Sequence, residues 1–120
     1  MKEKEVRFQA YEIDDAELIV VAFGIAARIA ISTVRRLRQE GRKVGLFRPV
    51  TLFPFPEKPI NETAGAGKRF IAVELNAGQM VEDVRLAVNG KSEVFFYGKP
   101  GGGIITPEEL YEKLHEYISR

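Results

Sequence analysis

The chain has 120 residues, of which 45% are hydrophobic and 29% are charged, and its formal net charge is +1 at pH 7. This balance is typical of one globular domain over residues 1–120, and it gives no electrostatic reason to expect nucleic acid or an anionic membrane as a partner. Because the chain has no cysteine and a single histidine, thiolate metal sites, iron–sulfur ligation and thiol or Ser-His-Asp catalysis are not expected.

The first third of the sequence predicts two strands and a helix. Residues 5–11 alternate apolar and polar side chains, as an exposed edge strand does, whereas residues 17–23 form the continuous apolar run of a central strand. After Gly24 the period changes to that of a helix, which is expected to end near Gly41. The predicted buried stripe of this helix consists of Ala27, Ala30, Ile31, Val34 and Leu37.

The middle of the sequence repeats the alternation of strand and helix. Residues 43–47 predict a short apolar strand, which is followed by the proline-punctuated loop 48–56 and a short helix at 58–64. Residues 69–75 predict the next strand, and residues 78–88 carry apolar side chains at helical spacing. Strands that alternate with helices in this way pair in parallel through right-handed crossovers.

The last third predicts one more strand and helix. Residues 92–97 form the strand, and the three glycines at 101–103 indicate a flexible loop. A helix then begins at Thr106, which is expected to act as N-cap with Glu109 as its capping-box partner. The whole pattern predicts an α/β fold, a three-layer α/β/α sandwich around a sheet of about five strands.

Two glycine-containing turns resemble phosphate-binding loops only in part. The segment from Gly65 to Lys68 lacks the earlier glycine and the Ser or Thr of a P-loop, and it precedes a strand instead of following one. The turn at Gly24 has one glycine where a dinucleotide fingerprint needs three. We therefore interpret the first as a structural turn and expect no dinucleotide site at the second.

The charged clusters favour structural roles. The acidic pairs at residues 14–15 and 82–83 have no neighbouring histidine or cysteine, so metal binding is not expected. The longest apolar run, residues 18–23, is too short to span a bilayer and no signal peptide precedes it, so we expect a cytoplasmic protein. Basic residues surround the end of the first helix, where a solvated helix face is favoured over a docking patch; they are Arg35, Arg36, Arg38, Arg42 and Lys43.

Several special residues follow the carboxyl ends of the predicted strands, the edge at which open α/β sheets meet ligands and partners. The aromatic side chains of the proline-fixed loop need a cover, which favours a partner surface at this edge over self-contained packing. The candidate interface residues are Gly24, Arg28, Arg48, Phe53, Phe55, Asn76, Gln79, Tyr97, Gly101, Gly102 and Gly103.

Four segments, taken together and in order, carry a resemblance to a known family. They include DAE at 15–17 with VVAFG at 20–24, VGLFRPVTLFPFP at 44–56, VELNAGQMVEDVR at 73–85 and YGKPGGG at 97–103. From about residue 8 onward the chain resembles the C-terminal, transketolase C-terminal-like domain of the α subunit of 2-oxoacid:ferredoxin oxidoreductases of the 2-oxoglutarate, 2-oxoisovalerate or pyruvate type. It departs from the family at Ile25, where a small polar residue is common, and at Phe53, where tryptophan is common.

The resemblance implies a mixed five-stranded sheet of order 1-3-2-4-5 with the first strand antiparallel to the others. The residues agree, because the link over residues 12–16 is too short for the helical crossover that a parallel connection needs. A ligand or an inserted partner residue is then expected at the switch point near Gly24 and Asn76.

The resemblance also implies the chemistry of the parent complex, which is the coenzyme A-dependent oxidative decarboxylation of a 2-oxoacid with electrons passing to ferredoxin. Thiamine diphosphate, Mg²⁺ and iron–sulfur clusters are implied for that complex and none of them for this chain, which has neither a Gly-Asp-Gly signal nor a cysteine. The implied partners are the remaining α-subunit domain and the β, γ and δ subunits, with ferredoxin reached indirectly and no contact to nucleic acid or membrane.

We therefore expect a non-catalytic domain that assembles such a complex and is inactive alone, either as a C-terminal fragment or as a separately encoded part of a split subunit. The alternative is a free-standing α/β module that binds a small anionic ligand at the helix N-termini after Gly24 and Asn76. An independent enzyme is not supported, because the sequence offers no set of nucleophile, base and metal ligands.

Overall fold

The structure is a computed structural model that describes residues 8–49, 57–65, 67–74, 79–98 and 105–118. In these residues strands and helices alternate as the sequence predicts, with boundaries within about two residues of those expected wherever they fall inside the described ranges. The strands are β1 (Phe8–Tyr11), β2 (Leu18–Ala22), β3 (Val44–Pro49), β4 (Arg69–Glu74) and β5 (Glu93–Gly98). The helices are α1 (Ile25–Gln39), α2 (Glu57–Thr63), α3 (Gln79–Val88) and α4 (Pro107–Ile118).

The strands form one mixed sheet of order β1-β3-β2-β4-β5. Strand β1 is antiparallel to β3, and the β3, β2, β4 and β5 strands are parallel to one another. Both the predicted order and the predicted antiparallel first strand are confirmed. The direction of β1 has a geometric reason, because the few residues between β1 and β2 cannot carry the crossover helix that a parallel connection needs.

The central strand β2 is buried on both faces. Leu18, Val20 and Ala22 point to the side that α1 and α4 cover, while Ile19 and Val21 point to the side that α2 and α3 cover. Fully burying such a side chain stabilises the fold by about 1.5–3 kcal/mol relative to leaving it exposed. These two apolar layers pack the helices onto both faces of the sheet. They thereby position the edge at which the parallel strands end.

The buried face of α1 is rotated slightly from the predicted stripe. The helix also buries Ala26 and Thr33, and it leaves Ile31 only half-buried at the border of that face. The buried stripe of an amphipathic helix is wider than a single line of side chains. Residues at the border of the stripe are therefore only partly covered. Ile31 thus faces the side of α1 that lies over β1 and β3.

Helix α4 begins with the capping box that the sequence predicts. The backbone N–H of Glu109 donates to Thr106 Oγ1 at 3.1 Å, and the N–H of Thr106 donates to Glu109 Oε1 at 3.1 Å. Ile105 and Leu110 are both buried in the same apolar cluster, as in a hydrophobic staple. The cap therefore fixes the angle at which α4 enters the fold.

The link between β1 and β2 is held from outside by the ammonium group of Lys68. Its Nζ donates to the carbonyl oxygens of Ile13, Asp14 and Ala16 at 3.3, 3.1 and 3.0 Å. The lysine of the P-loop-like segment is therefore engaged with backbone, which agrees with the interpretation of that segment as a structural turn.

Arg38 holds the same link from the opposite direction and is not a solvated side chain. Only 18% of its side chain is exposed, and its Nη2 donates to Asp15 Oδ1 at 2.6 Å. This side-chain hydrogen bond holds the pKa of Asp15 below its ordinary value of 3.8. The interpretation of the basic cluster as a solvated helix face is therefore wrong for Arg38, because carbonyl and carboxylate oxygens bind its guanidinium group in place of water.

Candidate functional site at the strand ends

The parallel strands β3, β2, β4 and β5 end at one edge of the sheet, where the sequence places the candidate interface. The structure describes Gly24, Arg28, Arg48 and Tyr97 of that set, together with the backbone of Gln79, which is the first residue of α3. The other predicted residues lie outside the described residues; they are Phe53, Phe55, Asn76, Gly101, Gly102 and Gly103.

Gly24 joins the central strand β2 directly to α1. Its φ of 66° and ψ of −133° lie in a region that side-chain-bearing residues rarely adopt, close to the first central position of a type II′ turn. Its carbonyl oxygen accepts the N–H groups of Ala27 and Arg28 at 3.0 and 3.3 Å. The turn is thus sharp enough to begin α1 immediately at the strand end.

Two large apolar side chains flank this turn and remain exposed. Phe23 is 40% exposed and Ile25 is 64% exposed, and we refer to the two as the apolar patch. Exposed apolar side chains on both sides of a turn at a strand end are typical of a surface that another polypeptide covers. The sequence analysis missed Phe23, because it continues the apolar run of β2 and gives no signal that it leaves the core.

Glu74 ends β4 as a buried carboxylate, with only 5% of the residue exposed. Its Oε2 accepts the backbone N–H of Val81 in the first turn of α3 at 2.9 Å. A negative charge at this point satisfies a helix N–H group that lacks a partner and complements the positive end of the helix dipole. The sequence signal, an acidic residue that ends an otherwise apolar strand shortly before a helix, was available and was missed.

Gly98 at the end of β5 lies against the same residue. It pairs with Glu74 in the sheet register, and a Cβ at this position would lie 2.6 Å from the Glu74 carbonyl oxygen. Glycine is therefore required here by the close approach of two backbones.

The structure brings two predicted interface residues together and separates a third. Arg28 and Arg48 line one cavity of about 360 Å³ between α1 and the β1–β3 pair. Tyr97 lies on β5 at the far edge of the sheet, where Lys113 Nζ sits 5.8 Å from its ring centroid, and so does not reach that cavity. Sequence reasoning missed Tyr11, Ile31 and Leu46, which line the cavity with the two arginines.

The side-chain types that ligate metals are scattered over the described residues. Among them, no three His, Cys, Asp or Glu side chains are placed to hold a metal ion. His115 lies on α4, where its Nε2 is 3.1 Å from Arg42 Nη2. None of the described helices has the length and apolar character needed to cross a membrane.

Comparison with known proteins places the fold in a family. A model of the pyruvate:ferredoxin oxidoreductase core domain II matches residues 16–110. The ketoisovalerate oxidoreductase subunit VorB of Methanothermobacter thermautotrophicus is 47% identical over 116 residues, which are 97% of this chain and 33% of that protein. The chain thus spans about a third of the length of this relative.

Two solved structures share the fold. The 2-oxoglutarate:ferredoxin oxidoreductase from Magnetococcus marinus, with 2-oxoglutarate, coenzyme A and succinyl-CoA bound, matches 97% of this chain and 20% of that chain with a TM-score of 0.72 and 24% identity. A split-gene transketolase, described as an inactive beta4 tetramer, matches 94% of this chain and 41% of that chain with a TM-score of 0.72 and 18% identity.

The transketolase-like sheet order with its antiparallel first strand, the family match and the identity to VorB agree with one another and confirm the resemblance. The chain belongs to the pyruvate:ferredoxin oxidoreductase core domain II family and is a homologue of subunits of the 2-oxoacid:ferredoxin oxidoreductases.

Proposed function

We propose that this chain is a non-catalytic assembly domain of a thiamine-diphosphate-dependent 2-oxoacid:ferredoxin oxidoreductase. Its carboxyl-end edge packs against the part of the enzyme that holds the cofactors. The observation that carries the proposal is the apolar patch, because Phe23 and Ile25 stay exposed on either side of Gly24 at the centre of the edge. Apolar anchors near the centre of an interface supply most of its binding energy.

Two observations favour placing thiamine diphosphate, Mg²⁺ and iron–sulfur clusters elsewhere in the complex. The buried carboxylate at the edge, Glu74, accepts a hydrogen bond from the helix backbone, and the sequence contains no cysteine to ligate a cluster. The proposal therefore assigns these groups to other parts of the complex. The role of the chain is to bury the edge of its sheet and so hold its partners in position.

The alternative, a module that binds a small anion at the helix N-termini, receives less support. At α3 the carboxylate of Glu74 already occupies an N–H group of the first turn. An anion placed there would compete with this carboxylate for the same N–H group. The position of Glu74 does not conflict with a protein partner at this edge.

The test is reconstitution of the complete oxidoreductase with the chain and its remaining subunits. We expect Phe23→Ser combined with Ile25→Ser to weaken association at least tenfold and to reduce 2-oxoacid-dependent reduction of a viologen dye in parallel. The matched control is Leu86→Ser, because Leu86 is 71% exposed on α3 and lies away from the edge. Association is measured by sedimentation velocity.

Thermal melting of each variant alone separates interface from stability. If Phe23→Ser lowers the melting temperature, the test of the interface uses Ile25→Ser alone, because the side chain of Ile25 is the more exposed of the two. Unchanged association of the Ile25→Ser variant, or a loss equal to that of Leu86→Ser, would overturn the proposal. Failure of the wild-type chain to associate with the remaining subunits would overturn it as well.

A further inference from the structure

A groove beside the apolar patch combines an apolar floor with three arginines. It is the cavity of about 360 Å³ between α1 and the edge of the sheet. From α1 it receives Arg28, Ile31 and Arg35, whose spacing puts them on one side of the helix. The strands contribute Tyr11, Leu46 and Arg48. We call this surface the arginine groove.

The three guanidinium groups form no ion pair with any described residue. Arg48 Nη1 donates to the neutral side chain of Gln9 at 3.2 Å, and the guanidinium of Arg35 lies 5.8 Å from the centroid of the Tyr11 ring. Two neighbouring arginines on α1 differ in this respect, because Arg36 pairs with Glu40 and Arg38 pairs with Asp15.

The three arginines that line the groove have no ion pair with a described carboxylate, and a guanidinium does not lose its proton in proteins. An anionic partner that enters the groove would therefore supply the missing counter-charge. The fold therefore holds the groove ready for negative charge.

The groove is continuous with the apolar patch. Ile25 and Arg28 are three residues apart on α1 and therefore lie next to each other on the helix surface. Arginine and tyrosine are also among the residue types that dominate binding energy at protein interfaces. A partner that covers the patch is therefore next to the groove.

We propose that the arginine groove receives an acidic segment of the partner polypeptide, with Asp or Glu carboxylates on Arg28, Arg35 and Arg48. This inference rests on the proposed function and specifies the chemistry of the partner surface. Arginine suits the task because its planar guanidinium binds a carboxylate through two parallel hydrogen bonds.

The first test reverses the charge of the groove in the reconstituted complex. We expect Arg28→Glu combined with Arg48→Glu to weaken association at least a hundredfold and to reduce its dependence on salt. The matched control is Arg85→Glu on α3, where an exposed arginine pairs with Glu82 on the other side of the sheet, and there we expect less than a threefold change. Melting temperatures of the separate chains check that both variants fold.

The second test identifies the carboxylates. Arg28→Lys, Arg35→Lys and Arg48→Lys each place a primary amine in the groove, and carbodiimide joins an amine to a carboxylate in contact with it, with loss of water. We expect new cross-links to Asp or Glu of the partner from these variants and none from Arg85→Lys, as read by mass spectrometry of the assembled complex.

Several results would overturn the inference while leaving the proposed function intact. One is association that depends on Phe23 and Ile25 but not on the groove arginines. Another is the absence of cross-links from all three lysine variants. Saturable binding of inorganic pyrophosphate to the chain alone, lost on Arg48→Gln, together with unchanged association, would reassign the groove to a small anion.

Discussion

The guanidinium of Arg38 joins segments that lie far apart in the sequence. Its Nε donates to the Val44 carbonyl at 2.7 Å, while Nη2 donates to the Glu12 carbonyl and to the Asp15 carboxylate, each at 2.6 Å. One side chain from α1 thereby ties β3 to the link that leads into β2. The sequence could not reveal this, because an arginine near a helix C-terminus is equally consistent with a solvated position.

Replacing Asp15 tests this contact through its pH dependence. The hydrogen bond from Arg38 lowers the folded-state pKa of Asp15 below its ordinary value of 3.8, so the ionised carboxylate stabilises the fold above the unfolded-state pKa. That contribution is lost as pH falls through the folded-state pKa. In urea unfolding we expect Asp15→Asn to be less stable than wild type at pH 7, with a smaller difference near pH 3.

The control for this comparison is Asp14→Asn. The described contact of Asp14 with Lys68 uses its backbone carbonyl, which the substitution leaves in place. We expect a smaller loss of stability than for Asp15→Asn. A deficit of Asp15→Asn that stays constant between pH 7 and pH 3 would contradict the role assigned to its charge.

A substitution at Gly24 would measure the cost of backbone strain alone, because the position has space for a side chain. A Cβ built at Gly24 meets no atom within 4 Å, yet its φ of +66° is unfavourable for any residue with a side chain. We expect Gly24→Ala to reduce the free energy of unfolding by about 1–3 kcal/mol. Gly65→Ala is the control, because Gly65 has equal space and an ordinary φ, and it should be neutral or slightly stabilising. Chemical denaturation that ranks the two equally would refute this account.

At the scale of elements, most helices and strands can be predicted from the points where the apolar pattern changes between the strand period and the helix period. Residues 17–23 are apolar throughout because β2 is covered on both faces, and the alternating residues 5–11 mark an edge that the structure places at β1. Such patterns report which faces are buried, and so they specify element type and approximate position in the sheet. The resemblance to a known family supplied the strand order.

The arginine groove could not be predicted in the same way. Its arginines come from α1 and β3, and its aromatic side chain comes from β1, so no local pattern unites them. The sequence places Arg35 in the basic cluster at the end of α1, where a solvated helix face is the expected role. A surface formed by three elements depends on how they pack, which a periodicity in one of them does not encode.

The capping box of α4 is the clearest local signal that the structure confirms. Thr106→Ala removes the acceptor for the Glu109 N–H, and we expect a loss of about 1 kcal/mol in unfolding free energy. Glu112→Ala, at an exposed position of the same helix, should change stability by less than about half of that. Urea unfolding of both variants makes the comparison, and equal losses would show that helix propensity rather than capping is responsible.

At the scale of the whole molecule, the chain spans about a third of the length of VorB. This bears on the activity that the chain can show by itself. We expect the chain alone to show no 2-oxoacid-dependent reduction of a viologen dye, because no group of three His, Cys, Asp or Glu among the described residues could hold the metal of a cofactor diphosphate. Measurable turnover by the purified chain, with contaminating oxidoreductase excluded by mass spectrometry, would contradict the proposed division of labour.

The proline-punctuated loop 48–56 also concerns the assembly of the whole molecule, because it contains two aromatic residues. Phe53 and Phe55 lie outside the described residues, and their role in an interface stays a prediction. Prolines that fix a loop reduce the entropy lost on docking, so we expect replacement of both phenylalanines by serine to weaken subunit association. The melting temperature of the chain alone should change little. A large drop in that temperature would assign both side chains to the core of this domain.

The contact between Gly98 and the Glu74 carbonyl has a consequence for how the sheet can form. If β5 slid along β4 by one residue, Tyr97 or Lys99 would face that carbonyl and the faces of the strand would exchange. A slide of two residues would keep the faces but bring Phe96 or Pro100 there, each with a Cβ where Gly98 leaves only 2.6 Å. The close approach at Gly98 therefore disfavours these misaligned pairings and favours the observed alignment of the half-buried edge strand.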